Sequence, residues 1–341
     1  MKTLLRSTTT LLVFLAAGQL SAQYRFTLTD LDTLGGPSSA AFGLNNAATV
    51  VGQSQVRSNP GIHGFMWNGG RIVDLRTLGG PNSEAHAINT AGTIVGQSMT
   101  LPAGGNMPTH AFVWKMARLS DLGTLGGTNS NANNLNDGGV IVGASQTTGN
   151  AAHHAFRYDG AMTDLGTLPG GEGSEAYDIN TSGQIVGQSQ LNGNLTIHAF
   201  SWVNGTMTDL GTLGGTNSMA FAVNDAGVVV GRSQLAGNTA FHAFSWANGT
   251  MTDLGTLGGS NSQARNVSPT GFVCGTSQLA GDSAQHAFLA SGGVMTDLNN
   301  CIPGATGWTL LDAFAFNVSG QIVGIGISPS GQKHAFLLTP E

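Results

Sequence analysis

Seven histidines recur along the chain: His63, His110, His154, His198, His242, His286 and His334. Six are followed ten or eleven residues later by an aspartate: Asp74, Asp121, Asp164, Asp209, Asp253 and Asp297. Imidazole and carboxylate together are metal ligands or an acid–base pair. A metal needs ligands that converge from two or three elements, whereas a pair present in every unit of a repeat is a building element. The spacing therefore predicts a His–Asp hydrogen bond, or a bond from His to the following Leu-Gly-Gly backbone, within each unit. No metal or cofactor is expected. A second set of residues departs from the repeat: Glu84, His86, Glu175, Tyr177 and Arg265. Two carboxylates serve as general acid and base when about 5–9.5 Å apart. Tyr, His and Arg together suit proton abstraction beside a sugar carboxylate. No Gly-x-Ser-x-Gly, His-Glu-x-x-His or phosphate-loop motif is present, so no residue is assigned a catalytic role.

The elements that hold these groups follow from the repeat. Asp-Leu-x-x-Leu-Gly-Gly, Ala-x-x-Ile-Asn, Gly-x-Ile-Val-Gly and His-Ala-Phe-x-Trp return in order, with motif aspartates from Asp30 to Asp297 spaced 43 to 47 residues apart. In the unit around Asp209, Ser218 to Asn224 alternates as a strand (A). Val228 to Gln234 is a β-branched run (B), His242 to Trp246 a third strand (C) and Thr250 to Gly255 a fourth (D). Asn248-Gly249 between C and D is a two-residue hairpin signal, because both positions tolerate positive φ. Four short strands per unit of this length mark the blade of a β-propeller. Strands A and C each occur seven times, but D follows C only six times. Phe26 to Leu31 matches the D strand around Asp253 almost position for position. The expected fold is all-β: a seven-bladed propeller closed by the N-terminal strand pairing with the C-terminal blade, so that His334 meets Asp30. One domain over residues 23–341 accounts for the chain after its leader.

Residues 1–22 read as a secretory signal, with Lys2 and Arg6 ahead of a short apolar run and Ser21-Ala22 before the cut. The mature chain is expected to be secreted, with the periplasm or the cell surface as other destinations. No later stretch is apolar enough to span a membrane. Removing the leader leaves ten basic residues against 18 acidic, a net charge of −8, which argues against nucleic acid as a partner. Cys274 and Cys301 are either bonded, which export permits, or are separate residues, one in the place of a core Val and one in a loop.

His110-Ala111-Phe112 and its counterparts at 154, 198, 242, 286 and 334, within the Asp-Leu-Gly-Thr-Leu-Gly-Gly context, resemble the HAF-repeat family of bacterial extracellular proteins. The likeness covers essentially the whole mature chain. Unit 1 departs with Gly64 in place of Ala, and unit 7 replaces the Leu-Gly-Gly turn by Asn299 to Pro303. The resemblance implies an exported repeat protein and transfers no catalytic residues.

Function is expected where the units differ. Strand A begins at the channel mouth, and the positions flanking its invariant Ala vary: Glu84 and His86, Asn131 and Asn133, Glu175 and Tyr177, Gln263 and Arg265, Asp312 and Phe314. Glu172 adds an acid in a Gly-rich loop. These polar residues either meet water, or bind an extracellular ligand (a glycan, a peptide or a surface partner), or form the site of a carbohydrate-active hydrolase or lyase. Binding without catalysis, by a monomer, is the favoured functional reading.

Overall fold

A computed structural model of the protein describes residues 24–57, 61–101, 107–191 and 196–341; the expected signal lies outside them. The alternation of apolar and polar residues yields seven four-stranded antiparallel sheets. Each of the first six reads A-B-C-D in chain order, as in blade 1: Gly35–Leu44, Val50–Val56, Ile62–Asn68 and Arg71–Asp74. The seventh takes A, B and C from Thr309–Phe316, Ile322–Ile327 and Lys333–Pro340, and D from Phe26–Asp30. Leu28 lies opposite Leu338 and Asp30 opposite Phe336, so the ring is closed by its two ends as expected. Closure removes the exposed edge that a terminal sheet would present.

Strand A of blade 5 runs over Gly214–Val223, four residues earlier than the hydrophobic alternation suggested. Gly214-Gly215-Thr216-Asn217 carries no apolar periodicity, yet it pairs with the end of strand B, with Gly214 opposite Leu235. The C–D hairpins use the expected residues: Asn204 and Gly205 have φ of 50° and 88°, and Asn248 and Gly249 have 52° and 81°.

The core lies between blades. Phe65, Phe112, Phe156, Phe200, Phe244, Phe288 and Phe336 are fully buried, as are the seven strand-A alanines. Each strand-A Ala faces the Gly of strand B, as Ala220 faces Gly231. A Cβ on Gly231 would collide with the Met219 carbonyl oxygen, and the same collision recurs in every blade. Gly is required there for close backbone approach.

Blade-to-blade hydrogen bonds explain most of the remaining motif residues. The buried Ser of strand A, such as Ser218, accepts from Ala199 N of the preceding blade and donates to Gly211 O. Ser233 of strand B accepts from Leu213 N of the Leu-Gly-Gly turn. Asn217 Oδ1 accepts from Ile197 N across the same junction. Both cysteines are unpaired and buried: Cys274 takes the place of a strand-B Val, and Cys301 sits in the atypical loop of blade 6 to blade 7.

Candidate functional site

The His–Asp pairs form in all seven blades. His198 Nδ1 lies 2.8 Å from Asp209 Oδ2, and Asp209 Oδ1 accepts from Gly211 N at 2.7 Å. His334 Nδ1 meets Asp30 at 3.0 Å across the termini. Burial raises the Asp209 pKa, but the bonds from His198 and Gly211 outweigh it and leave the carboxyl below its usual range. Every one of these imidazoles is thus engaged by the aspartate of its own blade. Among the described residues no three His, Cys, Asp or Glu side chains gather as a metal-ligand set.

Strand A is innermost and carries a β-bulge just after its Ala: in blade 5, Ala220 pairs with Gly231 and Ala222 with Val230, leaving Phe221 between them. Bulges re-aim a side chain. Here they build a belt from Phe42, His86, Asn133, Tyr177, Phe221, Arg265 and Phe314. Its members touch their neighbours: Phe42 meets Phe314 edge to face at 5.3 Å and His86 at 6.2 Å. Tyr177 lies 5.3 Å from Phe221, and Arg265 stacks on Phe314 at 5.0 Å and on Phe221 at 5.9 Å. His86 Nδ1 reaches Ala132 O at 2.8 Å, and Asn133 donates to Ala176 O at 2.8 Å, which links blades 2, 3 and 4.

The sequence-predicted site residues are brought together in small groups: Glu84 with His86, Glu175 with Asn131, Asn133 and Tyr177, and Arg265 with Asp312. Glu84 bonds His86 and Gln97, and the His86 hydrogen bond holds its carboxyl below the usual range. Glu175 accepts from Asn131, Asn133 and Tyr177. Burial, with the Glu175 charge, pushes the Tyr177 phenol far above its ordinary value. Arg265 grips Asp312 through two nitrogens at 2.9 and 3.1 Å. Burial raises the Asp312 carboxyl, and Arg265 only partly offsets it. Glu172 stands exposed in the connection from blade 3 to blade 4. The cleft that Glu175 lines does not include Glu84.

Open space lies instead in clefts between neighbouring blades on the face where strand A begins. Three equivalent ones hold about 260, 190 and 210 Å³, at the junctions of blades 7 and 1, 3 and 4, and 5 and 6. Each is walled by the residue after the strand-B Gly and the residue before the motif His of one blade. The Ser-rich start of strand A and the Ser-Gln of strand B of the next blade complete it. Glu175 lines the second cleft with His153 and Gln188, and Gln263 the third with Arg232, Phe241 and Gln278. Sequence reasoning missed Arg232, Phe241, Gln188 and Lys333. The available signal was variation beside fixed residues: the position before the motif His reads Ile62, Thr109, His153, Ile197, Phe241, Gln285 and Lys333.

The opposite face is different. The Asn that ends strand A caps its own A–B turn and donates to the next blade: Asn136 Oδ1 accepts from Val140 N at 3.1 Å, while its Nδ2 reaches Asn180 O at 3.2 Å. Asn317 continues this ladder to Asn45 O at 3.3 Å across the closure. Ser268 is too short to do so. Beside it, between blades 6 and 7, opens an apolar cavity of about 370 Å³ lined by Tyr24, Phe272, Phe316 and Val318. It contains none of the sequence-predicted site residues.

No protein-family model matches the chain, and no curated protein matches it. Among solved structures the chain is similar to the PQQ-bound form of an aldose sugar dehydrogenase from Streptomyces coelicolor, at 10% identity and a TM-score of 0.42, over 93% of this chain and 99% of that one. The propeller assignment rests on the sheets described above. No helix among the described residues is long and apolar enough to cross a membrane.

Proposed function

We propose that this is an exported, HAF-repeat-type binding module that holds a glycan, without catalysis, on the face where its A strands begin. The observation that carries the reading is the set of three quasi-equivalent inter-blade clefts. Their walls include side-chain amides, such as Gln263, Gln278 and Gln285 in the third. Such groups donate to and accept from sugar hydroxyls. Each cleft is smaller than the ~300 Å³ at which drug-sized pockets begin, which suits a single sugar ring. The hydrolase or lyase reading finds less support. Glu84 and Glu175 spend their oxygens on neighbouring side chains. A general acid must reach the atom it protonates.

Glycan-array binding of the mature protein tests the proposal, with Gln263→Ala and Glu175→Ala as variants. Binding to at least one glycan class, weakened in both variants at unchanged fold, is expected. An array on which the wild type binds no glycan would refute it, and sugar release from any bound glycan would replace it by the enzymatic reading.

A further inference from the structure

We infer that the cleft between blades 5 and 6 is an anion site that takes the carboxylate of an acidic saccharide. The inference rests on the binding reading above and names its ligand class. Arg232 lines this cleft, and among the described residues no carboxylate pairs with it. Its Nη1 donates to the neutral Gln263 Oε1 at 3.1 Å and its Nη2 lies 3.4 Å from the Met219 sulfur. Its Nε is shielded from solvent and bonds to nothing. The guanidinium stacks on the Phe241 ring at 4.8 Å, with Phe221 at 6.0 Å on the belt side. The next cation, Arg265, is already satisfied by Asp312 at 2.9 Å. Of the two neighbouring guanidinium groups only Arg265 is paired, and the unneutralised positive charge sits on Arg232.

A half-buried cation with only neutral acceptors is costly. Burial and the nearby Arg265 charge lower the Arg232 pKa, in keeping with that. A carboxylate is the group that a planar guanidinium receives best, through two parallel bonds. Elsewhere in the wall the hydroxyls of Ser262, Thr276 and Ser277 are engaged within the fold, whereas Gln278 accepts from Asn261 and keeps its amide nitrogen as a donor. A sugar ring bearing a carboxylate matches both parts. The equivalent of Arg232 is Gln in blades 1, 2 and 4 (Gln53, Gln97 and Gln188), so the charge is not a requirement of the fold at this position.

The test is titration of the mature protein with an oligogalacturonate and with its methyl ester, which keeps the sugars and removes the charge. Wild type is expected to bind the acid at least tenfold more tightly than the ester, with affinity falling as salt rises. Arg232→Gln is expected to lose that tenfold preference and to bind the ester as wild type does. Removing the unpaired cation should also leave its melting temperature equal or higher. Equal binding of acid and ester by wild type would overturn the anion site while leaving glycan binding intact. The same holds if Arg232→Gln keeps the preference, or if it melts lower with binding unchanged, which would make Arg232 a packing residue. Absence of binding to both probes and to every glycan on the array would remove the parent reading as well. Stabilisation by inorganic sulfate without any response to the oligogalacturonate would reduce the site to a bare anion site and overturn the saccharide.

Discussion

The asparagine ladder on the A–B turn face divides its contribution into two parts that substitution can separate. Asn136 is 8% exposed, and its side chain makes one bond within its own turn and one to the next blade. Asn136→Ser reproduces what blade 6 already has: there Ser268 Oγ accepts from Phe272 N at 2.9 Å, so the turn bond is kept and only the inter-blade bond is lost. The abandoned acceptor, Asn180 O, still receives Gly183 N at 3.1 Å. The loss is then one net hydrogen bond, about 0.5–1.5 kcal/mol. Asn136→Ala also leaves Val140 N unpaired, which adds about 1–3 kcal/mol for an unsatisfied donor. An unfolding entropy of about 2.1 cal/mol/K per residue over roughly 320 residues is about 0.7 kcal/mol/K, so the Ser variant should melt about 1–2 °C lower and the Ala variant about 2–6 °C lower. The converse change, Ser268→Asn, supplies the missing rung toward Asn317 and should raise stability by about 0.5–1.5 kcal/mol. Urea midpoints and calorimetry on the three variants measure this. Equal losses in Asn136→Ser and Asn136→Ala, or a destabilised Ser268→Asn, would show that the inter-blade bond contributes nothing separable and refute the reasoning.

Two further outcomes follow from the same accounting of bonds. His198→Ala removes the donor to Asp209 and should lower the melting temperature by about 1–2 °C, one net hydrogen bond spread over a large domain; an unchanged melting curve would refute a bonding role for the pair. Asp178 is buried and accepts from Asn134 Nδ2, Ile179 N and Val223 N, yet burial pushes its pKa up to about 6. The folded state therefore holds a proton that the unfolded chain, with a carboxyl near 3.9, releases. This contribution to stability is lost as pH rises through about 6 and is complete below about 4, with an upper size of about 3 kcal/mol. Carboxyls with lowered values, such as Asp209, act in the opposite sense, so the quantity to measure is the difference between wild type and Asp178→Asn from pH 7 to 4.5. Parallel pH profiles would refute it.

The architecture was legible because the repeat compares the chain with itself. The count of seven A and C strands against six D strands was enough to place Phe26 to Leu31 in the last blade, and the His334–Asp30 pair follows from that register. The belt was not legible. A period-two reading puts both flanks of the strand-A Ala on one face, but the bulge after Ala turns Phe42, His86 and their equivalents inward. Polar side chains there bond one another. Nothing in the residue types announces a bulge, except that the strand-B Gly opposite leaves no room for a Cβ. The clefts escaped notice for another reason. Their walls come from two blades, and the varying residue of each wall stands next to an invariant one.

That adjacency also indicates where variation is tolerated. The Ser, Asn, Asp, His and Gly of the repeat are each committed to a bond or a close approach, so a departure at one of them must be compensated. Blade 7 shows the compensation: it lacks the strand-A Ser, and Asn299 replaces the link by accepting from Leu310 N at 2.7 Å and donating to Leu310 O at 3.0 Å. The junction of blades 6 and 7 shows an uncompensated departure. Ser268 ends the Asn ladder, and Pro269 and Val318 stand where Asp225 and Asn46 in other blades bond a neighbouring turn, so a cavity remains. The side chains of the residue after the strand-B Gly and of the residue before the motif His make no bond common to all blades, and they range from Gln to Arg and from Ile to Lys. Selection for a ligand acts most freely at positions the fold does not use. Those two positions meet in the clefts, and between blades 5 and 6 they bring together a cation and an aromatic ring.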